Sequence, residues 1–336
     1  GEDVLRLNGV QNVVVQDLVI RGASGSPLVN IYGCQNVAFD GVTFYGGSPG
    51  LLINATQKLR LSHCAVRSLA APWSSRASMK YRGTPSYAVI TQRNQPLNED
   101  FEFAYCEFTD GHDCVWLRDV KNLRFHHNYI DNFNDDGIEV GAQWRAQELY
   151  IYQNYISRCL INFTLHEIEP DESPGEASPG SGVFITRNVV DLRNGTCKGA
   201  PREPDPSGSY LNQIGMLASD HGGPVWPHYH FYHNTVIRAD ASWRGYYGFG
   251  MGGQGLRRTE RRVFNNLFVQ LAGTPGLNFT SIGPHVSVDG NLHWSLETGP
   301  AFEGDFFRLQ GKTAFRDQPR AEGWMQHDLF ADPKFV

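Results

Sequence analysis

Tyr105 to Gln143 reads YCEFTDGHDCVWLRDVKNLRFHHNYIDNFNDDGIEVGAQ, and two successive turns of one pattern are written in it. Each turn has a short strand of alternating apolar residues, a polar corner and a second short strand. Acidic residues fall at the same corner of both turns: Asp110 and Asp113 in the first, Asp135, Asp136 and Glu139 in the second. Carboxyl groups gathered in this way repel one another unless a cation or shared protons offset the charge.

The first strand of the unit recurs along the whole chain. VVVQDLVI, VAFDGVTF, LRLSHCAV, FEFAYCEF, LRFHHNYI, LYIYQNYI, VFITRNVV, HFYHNTVI, RVFNNLFV and VSVDGNLHW superpose. One column of that superposition holds Leu18, Val42, Cys64, Cys106, Asn128, Asn154, Asn188, Asn234, Asn266 and Asn291. Asparagine repeated at one inward bend has a physical reason, since stacked side-chain amides bond to one another and to the corner backbone. A second strand follows each corner, as in PLVNIYG, GLLINAT, SYAVITQ, DCVWLRD, DGIEVGA and INFTLHE. Helical periodicity is nearly absent. Roughly 22 residues per turn, with two or three short strands in each, predicts an all-β, right-handed parallel β-helix with long loop insertions. A β-sandwich or propeller would not supply the column. The helix is expected over residues 1–295. Residues 296–336 lack the column and are expected to cap the open end, whose strand edges would otherwise be exposed.

Bulk composition agrees. The chain has 336 residues, 36 of them glycine, which suits an architecture of many tight corners. Hydrophobic residues make up 40% and the mean hydropathy is -0.38. No apolar run approaches membrane-spanning length. A net charge of -6 argues against general nucleic-acid binding. The six cysteines (34, 64, 106, 114, 159 and 197) have no CxxC zinc spacing and are too few for a disulfide scaffold of this size. Cys64 and Cys106 occupy adjacent rungs of the column and read as a stacked thiol pair. Gly1 opens inside what already looks like a repeat, so a removed leader or capping segment is expected.

If Ile138 and Val140 face inward, alternation sends Glu139 outward, with Trp116 one turn before and Thr164 one turn after. Arg118 and His166 take the next outward row, and the aspartates sit at the corner just before. Two chemistries use such a patch. Hard oxygen ligands bind Ca²⁺, which holds a substrate carboxylate while a nearby base removes the adjacent proton. Alternatively, one carboxylic acid protonates a glycosidic oxygen while another carboxylate activates water. The plain structural alternative is that corner acids tie down backbone amides.

Asn134-Asp135-Asp136-Gly137-Ile138-Glu139, with Asp110-Gly111 one turn earlier, resembles the calcium-binding corner of the family-nine pectate lyases. That resemblance implies Asp110, Asp135, Asp136 and Glu139 as calcium ligands. Glu139 stands where that family has Asp, and Thr164 falls near the place of its lysine base. Lys80 or His166 would then be the base, with Asp135 and Asp136 in the catalytic centre. The segment is also similar to the polygalacturonases, for which Asp110, Asp135 and Asp136 would form the acid and base set of an inverting hydrolase. Their Gly-His-Gly and Arg-Ile-Lys motifs are absent. Asp110-Gly111-His112-Asp113 is similar to the Asp-Pro-His-Asp of mannuronan epimerases. All three belong to the pectin-lyase-like superfamily.

The resulting expectation is a secreted or periplasmic monomer that acts on a polysaccharide with Ca²⁺ as cofactor and binds neither nucleic acid nor membrane. Arg82, Arg118 and Arg145 are the candidates for binding a substrate carboxylate, and Trp116 for stacking on a sugar. His126, His127, His228 and His230 read as ordinary strand histidines. A non-catalytic glycan-binding β-helix is the remaining alternative.

Overall fold

The computed structural model describes residues 3–23, 25–68, 87–92, 96–118, 120–141, 148–165, 182–193, 216–220, 229–238, 248–249, 261–271, 277–279, 286–297, 299, 307–309, 312–313 and 325–334. Their strands form two sheets, one of 21 strands and one of 10. Every strand of the smaller sheet pairs in parallel with the equivalent strand of the next turn, from Gln11–Gln16 to Val286–Asp289. This is a parallel β-helix. Among the described residues, no helix is long and apolar enough to cross a membrane.

Alternation fills the interior. Val15, Phe39, Leu61, Phe103, Phe125, Ile151, Ile185, Phe231, Val263 and Val288 stand in one register row, one per turn. All but the first of these are fully buried. Opposite them run Val29, Leu51, Val89, Val115, Ile138, Phe163 and Ala218, also buried. Such rows extend the same apolar contact from turn to turn, so the core lengthens with the solenoid.

The asparagine column is a continuous hydrogen-bonded ladder. Backbone N–H groups of Cys106, Asn128, Asn154, Asn188, Asn234 and Asn266 each donate to the Oδ1 of the next asparagine at 2.9–3.0 Å. The residue before the column is left-handed in most turns, including His63, Tyr105, His127, Gln153, Arg187, His233 and Asn265, with φ between 51 and 57°. Glycine takes that place at Gly290, where a Cβ would lie 2.6 Å from Asn265 Oδ1. The ladder continues into the segment expected only to cap it. Asp328 accepts the Asn291 N–H at 2.9 Å, and Leu329–Phe330 pairs in parallel with the preceding turn. The column was invisible there because its residue is an acid rather than an amide.

Cys64 and Cys106 are free, buried thiols. His126 stacks on Tyr152, and His127 on Tyr105. Neither belongs to a group of metal-ligating side chains among the described residues.

Candidate active site

Sequence expectation had two strands separated by a polar corner. Tyr129–Gly141 is instead one continuous strand of 13 residues with a register irregularity between Phe133 and Asp136. Gly111 pairs with Phe133 and Val115 with Ile138, so this turn carries one residue more than its predecessor over the same span. Successive residues of a regular strand face opposite ways. A bulge breaks that rule and re-aims a side chain. Here the backbone N–H groups of both Asp135 and Asp136 reach the preceding turn. The Asp135 N–H donates to His112 O at 2.9 Å, and the Asp136 N–H donates to Asp113 Oδ1 at 2.9 Å.

The result is a buried cluster built from two turns. His112, Asp113 and Asp135 present ligand atoms within 4.8 Å of one another, and so do Asp113, Asp136 and Glu139. Asp113 is common to both groups. The five side chains are between 1% and 5% exposed. Trp116, Glu139 and Thr164 share one register row, as expected, but Glu139 and Thr164 are buried rather than open. Thr164 Oγ1 donates to Asp136 Oδ1 at 2.7 Å. Burial pushes the Asp136 carboxyl well above the usual range, and the neighbouring Asp135 and Asp113 charges push the same way.

His112 completes the picture. Its Nδ1 lies 2.7 Å from Asn134 Oδ1, and with that amide orientation Nδ1 is the donor. In the neutral ring Nε2 then has a lone pair, and it faces Asp135 Oδ2 at 3.3 Å. Two acceptors at that distance call for a proton or a cation between them. Metal-bound histidines typically donate their second nitrogen to an oxygen, as His112 does to Asn134. The donor chemistry therefore fits a divalent cation. Asp113, Asp136 and Glu139 offer the hard oxygens that Ca²⁺ takes. His112 adds a nitrogen, which suits borderline ions better.

Asp110, expected as a ligand, lies elsewhere. It has φ 64°, and its Oδ1 accepts from Asn132 Nδ2 at 2.8 Å. Asp113, expected at the same corner, stands beside Asp136. Lys80, Arg82, Arg145 and His166 lie outside the described residues. Trp116 and Arg118 do flank the cluster. The Arg118 guanidinium carbon sits 3.4 Å from the Trp116 ring centroid, a cation–π contact. Tyr87, which sequence reading passed over, also stacks on Trp116 at 5.9 Å and meets His112 edge-on at 6.0 Å. Burial raises its phenol above the ordinary tyrosine value, with Asp113, Glu139, Asp135 and Asp136 adding to the shift. Its signal was present in the register, one turn before Asp113.

The described strands stack in parallel, turn upon turn, and a family model described as a right-handed β-helix region matches residues 3–189, more than half of the chain. The chain belongs to the right-handed β-helix family. No curated protein matches it. The right-handed β-helix accounts for the parallel sheets, the internal rows and the ladder, and this fold is shared by polysaccharide lyases and hydrolases. Membership is consistent with a carbohydrate-active enzyme. A fold hosts many chemistries, so the reaction has to be argued from the cluster.

Proposed function

We propose that this β-helix protein cleaves a uronate-containing polysaccharide by β-elimination with calcium as cofactor. One observation carries the reading: two ligand groups share Asp113 in one buried cluster of four carboxyl side chains and a histidine. Asp113, Asp136 and Glu139 would hold the ion, with Asp135 beside it on His112. When bound, Ca²⁺ supplies a Lewis acid that acidifies the hydrogen next to a coordinated carboxylate.

In this reading Arg118 steadies the substrate carboxylate and Trp116 offers an apolar face to a sugar ring. The base is His112, or Lys80 or His166 from the neighbouring segments. Elimination breaks the C–H bond, and its electron pair forms the new C=C bond. The bond to the leaving glycosidic oxygen breaks, and that oxygen takes up a proton. Tyr87, with its phenol held protonated, is the donor we assign to it. A polymeric substrate implies a secreted or periplasmic enzyme.

Asp136 favours one competing reading. A buried carboxyl raised by its surroundings, as Asp136 is by burial and by Asp135 and Asp113, suits the general acid of an inverting glycoside hydrolase. Digestion of a glycan panel with and without EDTA separates the two. A lyase generates the ultraviolet absorbance of an unsaturated uronate and is stopped by the chelator. A hydrolase generates reducing ends without that absorbance. Retention of glycan with no cleavage would refute both and leave a binding module.

A further inference from the structure

The asparagine ladder ends in an acid. Asp328 Oδ1 accepts the Asn291 N–H at 2.9 Å, as Asn291 Oδ1 accepts that of Asn266 at 3.0 Å. In earlier rungs the amide Nδ2 also donates: Asn266 to Phe231 O at 3.0 Å, and Asn291 to Val263 O at 3.2 Å. A carboxylate has no hydrogen to give, so its second oxygen needs a donor instead. His293 supplies one. Its Nε2 lies 2.7 Å from Asp328 Oδ2, and both side chains are 0% exposed. The imidazole is held between Phe268 and Phe330, with ring centroids 5.3 and 5.2 Å away. Phe330 belongs to the terminal strand Leu329–Phe330, which pairs with Leu292 and His293. The last rung is thus fastened by a group that titrates, whereas the rungs before it are fastened by amides that do not.

We infer that His293 and Asp328 form an acid-sensitive latch on the C-terminal rung, closed at neutral pH and releasing residues 325–334 on acidification while the preceding turns stay folded. Among the described residues, Asp328 is the charged group facing His293, and the two phenylalanine rings bring no charge. Full burial of the ring disfavours the imidazolium relative to the neutral imidazole. Burial accordingly holds His293 below the ordinary histidine value, outweighing the opposite pull of Asp328. Its contribution is therefore fully present above the unfolded value of 6.5 and is lost as pH falls below it.

A second pair on the same segment has the opposite sense. The exposed His327 donates its backbone N–H and presents its ring Nδ1 to Asp289, both at 2.7 Å. Asp289 raises His327, so this contact is present below 6.5 and fades as pH rises through the raised value. Asp289 itself is lowered by burial-opposed bonds to His327, and its contribution is lost only as pH falls below 3.8. Release between neutral pH and about pH 5 must then come from His293 against the pull of His327.

Hydrogen–deuterium exchange on the full chain at about pH 7.5 and about pH 5, corrected for intrinsic rates, tests this. The Met325 and Leu329 amides donate to Val288 O and Asn291 O at 2.7 and 2.8 Å. Their protection is expected to fall by up to about tenfold per pH unit below the free histidine value. Amides of the Asn154 and Asn188 turns are expected to hold. His293→Gln keeps an amide that can donate to Asp328 without titrating and should abolish the acid release. His327→Gln should leave the release intact. Asp328→Asn keeps the buried imidazole and removes the carboxylate that opposes burial, so its tail should still release on acidification. Should His293→Gln not fold, His293→Asn is read in the same way. Unchanged wild-type tail protection between the two pH values would overturn the inference, and so would an acid release that survives replacement of His293 or is lost in Asp328→Asn.

Discussion

Replacing Asp113 by Asn should change stability in opposite directions with and without a divalent cation. The amide keeps the Oδ1 that accepts the Asp136 N–H at 2.9 Å, so the backbone bond between turns survives. What disappears is one negative charge shared by two groups whose atoms lie within 4.8 Å. At an effective dielectric constant of about 20, two unit charges at that distance repel by roughly 3.5 kcal/mol. Asp136 already holds its proton more tightly than usual, so part of the repulsion is relieved in the wild type. In chelator the variant should gain on the order of 1–3 kcal/mol. With Ca²⁺ at about one hundred times its dissociation constant, the wild type should gain about 2.7 kcal/mol by mass action, and the variant little. Thermal unfolding in EDTA and in a calcium series reads both effects. A variant stabilised by calcium as strongly as the wild type, or destabilised in chelator, would refute the charge argument.

Asp110→Asn should leave the calcium-dependent rise in melting temperature unchanged, because that carboxylate bonds to Asn132 and not to the cluster. Stability in chelator should fall as pH rises above 3.8, since a raised carboxyl contributes fully below its unfolded value and loses that contribution through its folded one. Saturating calcium should flatten that slope, as measured by urea unfolding across pH. Asn234→Ala removes an acceptor for the Asn188 N–H and a donor to Ile185 O in a side chain 1% exposed. Two orphaned buried groups predict a loss of about 2–5 kcal/mol by denaturant titration. In Gly137→Ala the new Cβ would lie 2.8 Å from Asn162 O, so the strand must shift beside Asp136. Weakened calcium affinity by calorimetry should accompany a modest loss of stability.

Much of the fold was legible in the residues alone. Alternation in LRFHHNYI or LYIYQNYI separates inside from outside within one strand, and the ladder amides recur at one corner from Asn128 to Asn291. These signals are local or strictly repeated, so no knowledge of neighbouring turns is needed to see them. The tail escaped because Asp328 does the work of an asparagine only when His293 stands beside it to supply the missing hydrogen.

At the candidate site the sequence supplied the acidic residues but not their pairing. The sequence set both Asp110 and Asp113 at this corner, whereas in the structure Asp110 bonds to Asn132 and it is Asp113 that stands beside Asp136. The Tyr129–Gly141 turn holds one residue more than its predecessor over this span. With a side-chain period of two, a one-residue slip exchanges the two faces of a strand. Which acids meet is therefore fixed by the hydrogen-bond register across the bulge, a relation between turns that exists only once the chain has coiled.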